Sequence, residues 1–486
     1  MKIFLPQFKS KKEQSILFFL VVFVYMIWLR NIGSMTSISG DAADCWHSIT
    51  TWYSAERYGS YTLYKGGAAV YPYVWLYRLA VTLHINEYFF CMLYHACLFA
   101  FVTTIGLPLI AEQLTEWKPV LWQRIAVPVF FFAIWRPTQA LSELMVDLPS
   151  CSFFVMAACC ILTLPEIHGK RRLVWVALSG LLTSICANIS GQYSISALFL
   201  LILAVIQIWK TKNAQDNGIK LQVLQIIILF GAAIAVKLLN IFFMEKTVAP
   251  MVAAGAWIPS GDAWLQRGLL YFVDKNRYLY GSTLLNPRGL AILQDICGTK
   301  EAAQTLIESA GAGLASWSIL DYLKMALHYP VDAVVQALDI FFLSFSIDMT
   351  RQSVAFLLTG YSLFYIAVWN AVQRIHCWRD IISVKTLVVL SALCSLIPSM
   401  VMTLESRVAI GAQGVVLGTA LLCSSIPQTL KSAAYRLTRS QLGQQQMSVS
   451  VSVYLVWIIF VLFCMMHIGT LYAQSDIGTE MLFKWW

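Results

Sequence analysis

Apolar residues in this chain fall in long runs separated by short polar breaks, without the period-two alternation of a half-buried strand. The runs are Ser15–Leu29, Phe89–Ala111, Val120–Trp135, Leu148–Leu164, Leu173–Ile189, Tyr193–Trp209, Leu221–Met244, Val354–Val372, Thr386–Thr403, Val408–Ile426 and Val451–Tyr472. A hydrocarbon core about 30 Å thick takes roughly 20 helical residues to cross, so these runs predict membrane-spanning helices rather than barrel strands. Gly66–Leu83 and Pro330–Ile347 are two further apolar stretches long enough to compete as spans. The expected fold is therefore an all-α polytopic membrane protein of about 11 spans, within a range of roughly 11 to 13.

Basic residues set the expected sidedness. Lys2, Lys9, Lys11 and Lys12 precede the first run, which has no small-x-small cleavage pattern after it, so it reads as an uncleaved anchor with a cytoplasmic N-terminus. With 11 spans, the loops carrying Lys170–Arg172, Lys210–Lys220, Arg374–Arg379 and Lys431–Arg439 all fall on the cytoplasmic side. Counting only one of the two extra stretches as a span would break that agreement. The opposite side then receives two long loops, 30–88 and 245–352, within a single polytopic domain covering 1–486. Trp52–Tyr64 and Ile319–His328 are aromatic, amphipathic segments in those loops and are expected to lie in the headgroup layer as interfacial helices.

Composition agrees with the patterning. Of 486 residues, 59% are hydrophobic and only 12% charged, against about 45–50% and about 25% in soluble domains. A solvated globular enzyme and a disordered chain are both excluded. The net charge of +9 suits the cytoplasmic face of an anionic membrane and implies no nucleic-acid partner. Most of the 12 cysteines lie in or beside apolar runs and act as small apolar residues, with Cys45 and Cys297 the one pair placed on the same wet face. No CxxC or HxxxH spacing occurs.

Ionisable groups are costly at membrane depth, so their clustering on the extracytoplasmic side directs attention there. Directly after the first span comes Ser39-Gly40-Asp41-Ala42-Ala43-Asp44. Asp41 is placed to act as a carboxylate base on a substrate at the interface, or to cap a helix carrying Asp44 in its first turn, and the two roles are compatible. A second cluster joins Arg136, Glu143 and Asp147-Leu148-Pro149. Asp147 suits a helix N-cap, and it also sets a second acid at the depth expected for Asp41. Two such acids with oxygen ligands would suit Mg²⁺ or Mn²⁺, with Asp41 and Asp147 as the ligands.

Asp321, Lys324 and His328 recur at i, i+3 and i+7 on one helical face, where they can hold a phosphate or snorkel from an interfacial helix. Glu405-Ser406-Arg407 sits between two apolar runs, where the charges can pair or the guanidinium can grip a phosphate. Together these groups outline an outward cavity with acids at Asp41 and Asp147 and cations at Arg136, Lys324 and Arg407.

These motifs resemble the GT-C superfamily of integral-membrane glycosyltransferases. The resemblance is carried by Gly40-Asp41 and Tyr71-Pro72 in the first outer loop, Val146-Asp147-Leu148-Pro149, the turn Ile189-Ser190-Gly191-Gln192-Tyr193, His328-Tyr329-Pro330 and Glu405-x-Arg407. The chain departs from the family pattern at Gln192, where a basic residue is common, and at Val408, where a tyrosine often follows the late arginine.

The resemblance implies transfer of a sugar from a polyprenyl-phosphate donor to a glycan, glycolipid or protein acceptor on the extracytoplasmic side, with membrane lipids as partners. It makes Asp41 the catalytic base, with Asp147, Asp44 and Glu143 as candidate second acids. Arg407, Lys324, Arg136 and His328 would bind the donor phosphate, and Glu405, Tyr71 and Gln192 would line the cavity. The expected location is a plasma or inner membrane. A lipid-linked glycan polymerase or ligase is the alternative, expected to depend on outer arginines more than on Asp41. A transporter or flippase would need midplane charges, matched broken helices or an internal repeat, features that are weak here.

Overall fold

The computed structural model describes residues 11–32, 40–51, 67–115, 119–135, 144, 146–210, 218–243, 287–308, 319–345, 360–368, 383–401 and 406–423. Every regular element among them is helical. The helices are α1 (Lys11–Ile32), α2 (Gly40–Thr51), α3 (Gly67–Leu83), α4 (Glu87–Phe101), α5 (Leu107–Thr115), α6 (Leu121–Trp135), α7 (Asp147–Thr163), α8 (Lys170–Ile189), α9 (Ser194–Lys210) and α10 (Gly218–Phe243). They continue with α11 (Pro287–Cys297), α12 (Lys300–Glu308), α13 (Ile319–His328), α14 (Pro330–Leu343), α15 (Val384–Cys394), α16 (Ile397–Val401) and α17 (Ile410–Cys423). Residues 360–368 are also helical.

Among the described residues, five helical stretches are long and apolar enough to cross a membrane: Glu87–Thr115, Asp147–Glu166, Lys170–Ile189, Gly191–Lys210 and Ile219–Phe242. Shorter apolar helices cover Gln14–Trp28, Leu121–Trp135, Val384–Cys394 and Ile410–Leu422. The chain is thus a helical membrane protein. The expected run Val451–Tyr472 and the basic loop Lys431–Arg439 lie outside the described residues. The expected run Thr386–Thr403 is not one helix. It breaks at Ser395–Leu396, because Pro398 has no N–H to donate to the Cys394 carbonyl and its ring crowds that turn; Ser395 Oγ donates to the Ala392 carbonyl there at 2.7 Å.

The chain divides into two compact units, the first comprising Met1–Ile258, His376–Ser395 and Ile410–Leu422, the second Pro259–Ile375, Leu396–Ala409 and Cys423–Trp486.

In the first unit, α8 and α10 cross closely because Gly180 removes a side chain from the contact. A Cβ there would stand 2.2 Å from the Leu229 carbonyl oxygen. Above that crossing Ser184 Oγ donates to the Ala233 carbonyl at 2.8 Å, and Asn240 Nδ2 donates to Asn188 Oδ1 at 3.2 Å. Positions 180, 184 and 188 thus meet 229, 233 and 240 in rising order, so the two helices run parallel. Small residues and interhelical hydrogen bonds take over here because lipid offers no hydrophobic drive between helices.

α4 and α5 form one long helix interrupted by a π-helical turn, Val102–Gly106. The turn is held by its packing on α7: Gly106 has no room for a Cβ, which would meet Val155 Cγ1 at 2.4 Å, and Cys159 Sγ reaches the Gly106 carbonyl at 3.5 Å. α17 presents Gly411, Gly414 and Gly418 at i, i+3 and i+7. They receive Tyr193, Trp135 and Phe131 respectively. Trp135 is fully buried there and donates Nε1–H to Gln413 Oε1 at 3.1 Å.

In the second unit, α13 buries Tyr322 and Met325 and leaves Leu320, Leu323 and Leu327 exposed. That apolar stripe at i, i+3 and i+7 is what a helix lying in the headgroup layer needs. The other segment expected there, Trp52–Tyr64, lies outside the described residues.

Candidate functional site

The site is built where three motifs, distant in sequence, reach one packed cluster of the first unit. Cys45 and Ile49 of α2, Val70, Tyr73 and Val74 of α3, Cys91 and Met92 of α4, together with Leu144, Val146 and Ile189, form a single buried core. Each motif enters beside a member of that core. Asp41 is one helical turn before Cys45, Asp147 follows Val146, and Ser190-Gly191-Gln192 follows Ile189.

Helix α2 is seated by its own sequence pattern. Ala42, Cys45 and Ile49 recur at i, i+3 and i+7 and are all fully buried. Trp46 adds edge contacts to Tyr77 and Tyr88, with ring centroids 5.8 and 5.2 Å apart. The helix begins at Gly40, so Asp41 is its second residue and stands inside the first turn rather than at the cap. The side chains of Asp41 and Asp44 lie outside what is described, and the backbone of α2 alone places them.

Asp147 also departs from the expected cap. Val146 occupies the cap position, with no side-chain capping bond, and its carbonyl accepts the Ser150 N–H at 2.9 Å. Asp147 is therefore the first residue of α7. Pro149 costs nothing in this turn because its missing N–H would have had no intrahelical acceptor. The acid is 5% exposed and stands at the positive end of the α7 dipole, which favours its negative charge.

The face that continues from Asp147 along α7 is Cys151 and Phe154, at i+4 and i+7. Phe154 and Tyr193 pack with ring centroids 5.6 Å apart. Cys186 Sγ reaches the Ser150 carbonyl at 3.3 Å and ties α8 to the same turn. Tyr193 is fully buried, and its hydroxyl lies 2.2 Å from where a Cβ on Gly411 would stand. This glycine of α17 makes room for the tyrosine. Gln192 precedes it in the 3₁₀ turn Gly191–Tyr193 and is partly buried.

The pair Tyr73 and His95 was not singled out from sequence. The Tyr73 hydroxyl and His95 Nε2 share a short hydrogen bond, and both residues are fully buried. A lone histidine in an apolar run gives no warning of this, because its partner lies 22 residues away on another helix. Tyr71, two residues earlier, is 40% exposed on α3.

In the second unit, Lys324 and His328 are exposed on α13. His328 Nε2 stands 3.6 Å from Asp295 Oδ2, an acid on α11. The adjacent Tyr329 donates its hydroxyl to the same carboxylate. That bond, with desolvation and the charges of Asp295 and Asp332, pushes the Tyr329 phenol above its ordinary value. Arg407 lies on the 3₁₀ turn Ser406–Ala409, placed by its backbone alone. Arg136, Glu143 and Glu405 lie outside the described residues, as do the side chains of Asp321 and Arg407.

Among the described residues, no three His, Cys, Asp or Glu side chains gather in a way that would hold a metal ion. Cys45 and Cys297 are not joined in a disulfide, and Cys45 is closed into the packed core.

No family model matches the chain, and no curated protein matches it. Among solved structures it is similar to the archaeal oligosaccharyltransferase AglB from Archaeoglobus fulgidus, in complex with an inhibitory peptide and a dolichol-phosphate. The identity is 12% and the TM-score 0.42, over 93% of this chain and 55% of that one. The chain thus spans about half the length of that relative.

Proposed function

We propose that this protein is a membrane glycosyltransferase of the GT-C kind, moving a sugar from a polyprenyl-phosphate donor to an acceptor hydroxyl with Asp41 as general base. The observation that supports this reading is that Cys45 of α2, Val146 just before α7 and Ile189 just before the Ser190–Gln192 turn belong to one buried cluster. Those three segments carry the motifs on which the family resemblance rests, and nothing in their sequence separation requires them to meet.

In the proposed reaction the acceptor oxygen attacks the anomeric carbon in line, and its proton passes to the Asp41 carboxylate. The bond between that carbon and the phosphate oxygen breaks, and the lipid phosphate leaves with the electron pair, inverting the centre. Arg407, Lys324, Arg136 and His328 are the residues proposed to stabilise charge on the departing phosphate. Asp147, or Asp147 with Asp41 and a divalent cation, is the proposed second acidic group. The membrane is proposed to be a plasma or inner membrane, with the reaction on its outer side.

The test is release of lipid phosphate from a panel of polyprenyl-phosphate sugars by purified protein in lipid, run beside Asp41→Asn. Donor-dependent release that disappears in the variant is the expected result. Undiminished release by Asp41→Asn would remove the base and move attention to Asp147. Release that survives Asp41→Asn and fails on replacing Arg407 would favour the polymerase or ligase alternative.

A further inference from the structure

Helix α8 opens with three cations, Lys170, Arg171 and Arg172. Its N-cap is Gly169, which provides no side-chain capping bond, and its first turn contains no acid. Cations at this end oppose the helix dipole, whose positive pole lies there. The positive-inside rule accounts for Lys170 and Arg171, both exposed. It does not account for Arg172, which is only 3% exposed. Long basic side chains near a helix end ordinarily snorkel to water.

The surroundings of Arg172 sharpen the anomaly. Its Nε, Nη1 and Nη2 are all buried, and none has a hydrogen-bond partner. A buried guanidinium without a counter-charge is among the costliest arrangements a fold can hold. Among the polar groups described at this end, Gln222 Nε2 donates to the Ile208 and Trp209 carbonyls at 3.4 and 3.2 Å and Glu166 accepts from Gln113 Nε2 at 2.9 Å, while Gln225 Oε1 on α10 is, like the guanidinium, buried without a hydrogen-bond partner and is a neutral amide that supplies no counter-charge. Lys210 at the end of α9 and Lys220 at the start of α10 are exposed. Because α8 and α10 run parallel and α9 returns between them in sequence, all these cations belong to one end of the bundle.

From the unpartnered guanidinium and the uncapped, cation-rich start of α8, we infer that this end of the first unit binds a phosphate-bearing anion through Arg172. The planar fork of five donors matches phosphate oxygens two at a time, and the N–H groups of Lys170 and Arg171, which as the first two of a helix have no intrahelical acceptor, add donors of the same polarity, the Arg172 N–H being taken by the Gly169 carbonyl at 3.1 Å. The nitrogens are shielded in the ligand-free chain, so an anion reaches them by displacing side chains at this end. The same chemistry is offered by an anionic phospholipid headgroup and by free phosphate. The site lies at the end of the bundle opposite Asp147, because α7 and α8 are joined by a tight turn and run antiparallel. It is independent of the proposed glycosyl transfer.

The experiment is thermal unfolding of the full-length protein in detergent, titrated separately with phosphatidylglycerol, phosphatidylcholine and inorganic phosphate. Wild type, Arg172→Gln, Arg172→Lys and Arg171→Gln are compared. Phosphatidylglycerol should raise the midpoint of wild type more than phosphatidylcholine does, and its apparent affinity should fall about tenfold or more in Arg172→Gln. Arg171→Gln, a surface cation, should lose no more than about fivefold and should match wild type at roughly 0.5 M salt, where surface charges are screened. Arg172→Lys keeps the charge without the fork and should fall between them, which preserves the test if the Gln variant fails to fold. Equal responses of wild type and the Arg172 variants, or equal effects of the two lipids with no effect of phosphate, would overturn the inference. A response to inorganic phosphate matching that to phosphatidylglycerol would uphold the site and identify its ligand as free phosphate.

Discussion

Asp147 and Arg172 stand at the starts of consecutive antiparallel helices, both almost wholly buried, and the fold treats them in opposite ways. The aspartate is the first residue of α7, where the helix dipole favours its charge, and its turn is closed by Ser150, whose Oγ donates to the Asp147 carbonyl at 2.9 Å. The arginine is in the first turn of α8, where the same dipole opposes its charge, and its guanidinium has no partner. Burial alone therefore says little about a charged residue in a membrane protein. What surrounds the charge decides whether it belongs to the architecture or awaits a ligand.

The comparison can be broken most decisively at Asp41, a third charge in the first turn of a helix. If it only complemented a dipole, its loss would cost about 0.3–1 kcal/mol of stability and leave turnover intact. As a general base, Asp41→Asn should lower sugar transfer by about 10² to 10⁴ with little change in the unfolding midpoint. Steady-state release of lipid phosphate and a melting curve on the same preparation separate the two.

Next in size is the α8–α10 crossing that sets these helix ends. Gly180→Val should destabilise the protein by about 1–3 kcal/mol or prevent its folding, because the Leu229 carbonyl is backbone and cannot move aside. Gly231→Ala on α10 meets nothing within 4 Å and should be stabilising by about 0.5–1 kcal/mol. Chemical denaturation in mild detergent measures both. A tolerated valine at 180 would mean that the helices do not cross there.

A finer test compares the two buried charges directly. In lipid-free detergent Asp147→Asn should lower stability by about 0.3–2 kcal/mol, whereas Arg172→Gln should raise it or leave it unchanged, since it removes an unpaired buried charge. Losses of equal size would show that Arg172 is already paired within the fold.

The smallest effect is expected at Tyr329. Its bond to Asp295 holds the neutral phenol, so its ionisation should begin above the ordinary tyrosine range near pH 10. The folded value is raised, so this contribution is complete below the unfolded pKa and is lost as pH rises through the folded one. The Tyr329→Phe difference in ultraviolet absorbance on alkaline titration should report a midpoint that moves back toward the ordinary value in Asp295→Asn.

The chemistry of the chain was legible from sequence in proportion to how local it was. The apolar runs at Leu173–Ile189 and Tyr193–Trp209 became α8 and α9 almost residue for residue, because a stretch without backbone partners in lipid has to satisfy its own hydrogen bonds. The run Thr386–Thr403 did not, because Pro398 removes the N–H that would have closed the turn onto the Cys394 carbonyl, an interruption that hydropathy does not register. Asp147 was visible as an acid before a proline. Its step from the cap into the first turn depended on which carbonyl accepted the Ser150 N–H.

By itself the sequence determined that this is a helical membrane protein, where many of its apolar helices begin and end, and which polar residues are candidates for chemistry. Those properties follow from residues a few positions apart and from the demand that lipid makes on every peptide group. Only the tertiary structure decided that α2, the start of α7 and the end of α8 share one core, that Gly411 accommodates Tyr193, and that Arg172 is enclosed without a partner. Such facts depend on pairings between helices that lie tens to hundreds of residues apart. Hydropathy along the chain carries no record of those pairings.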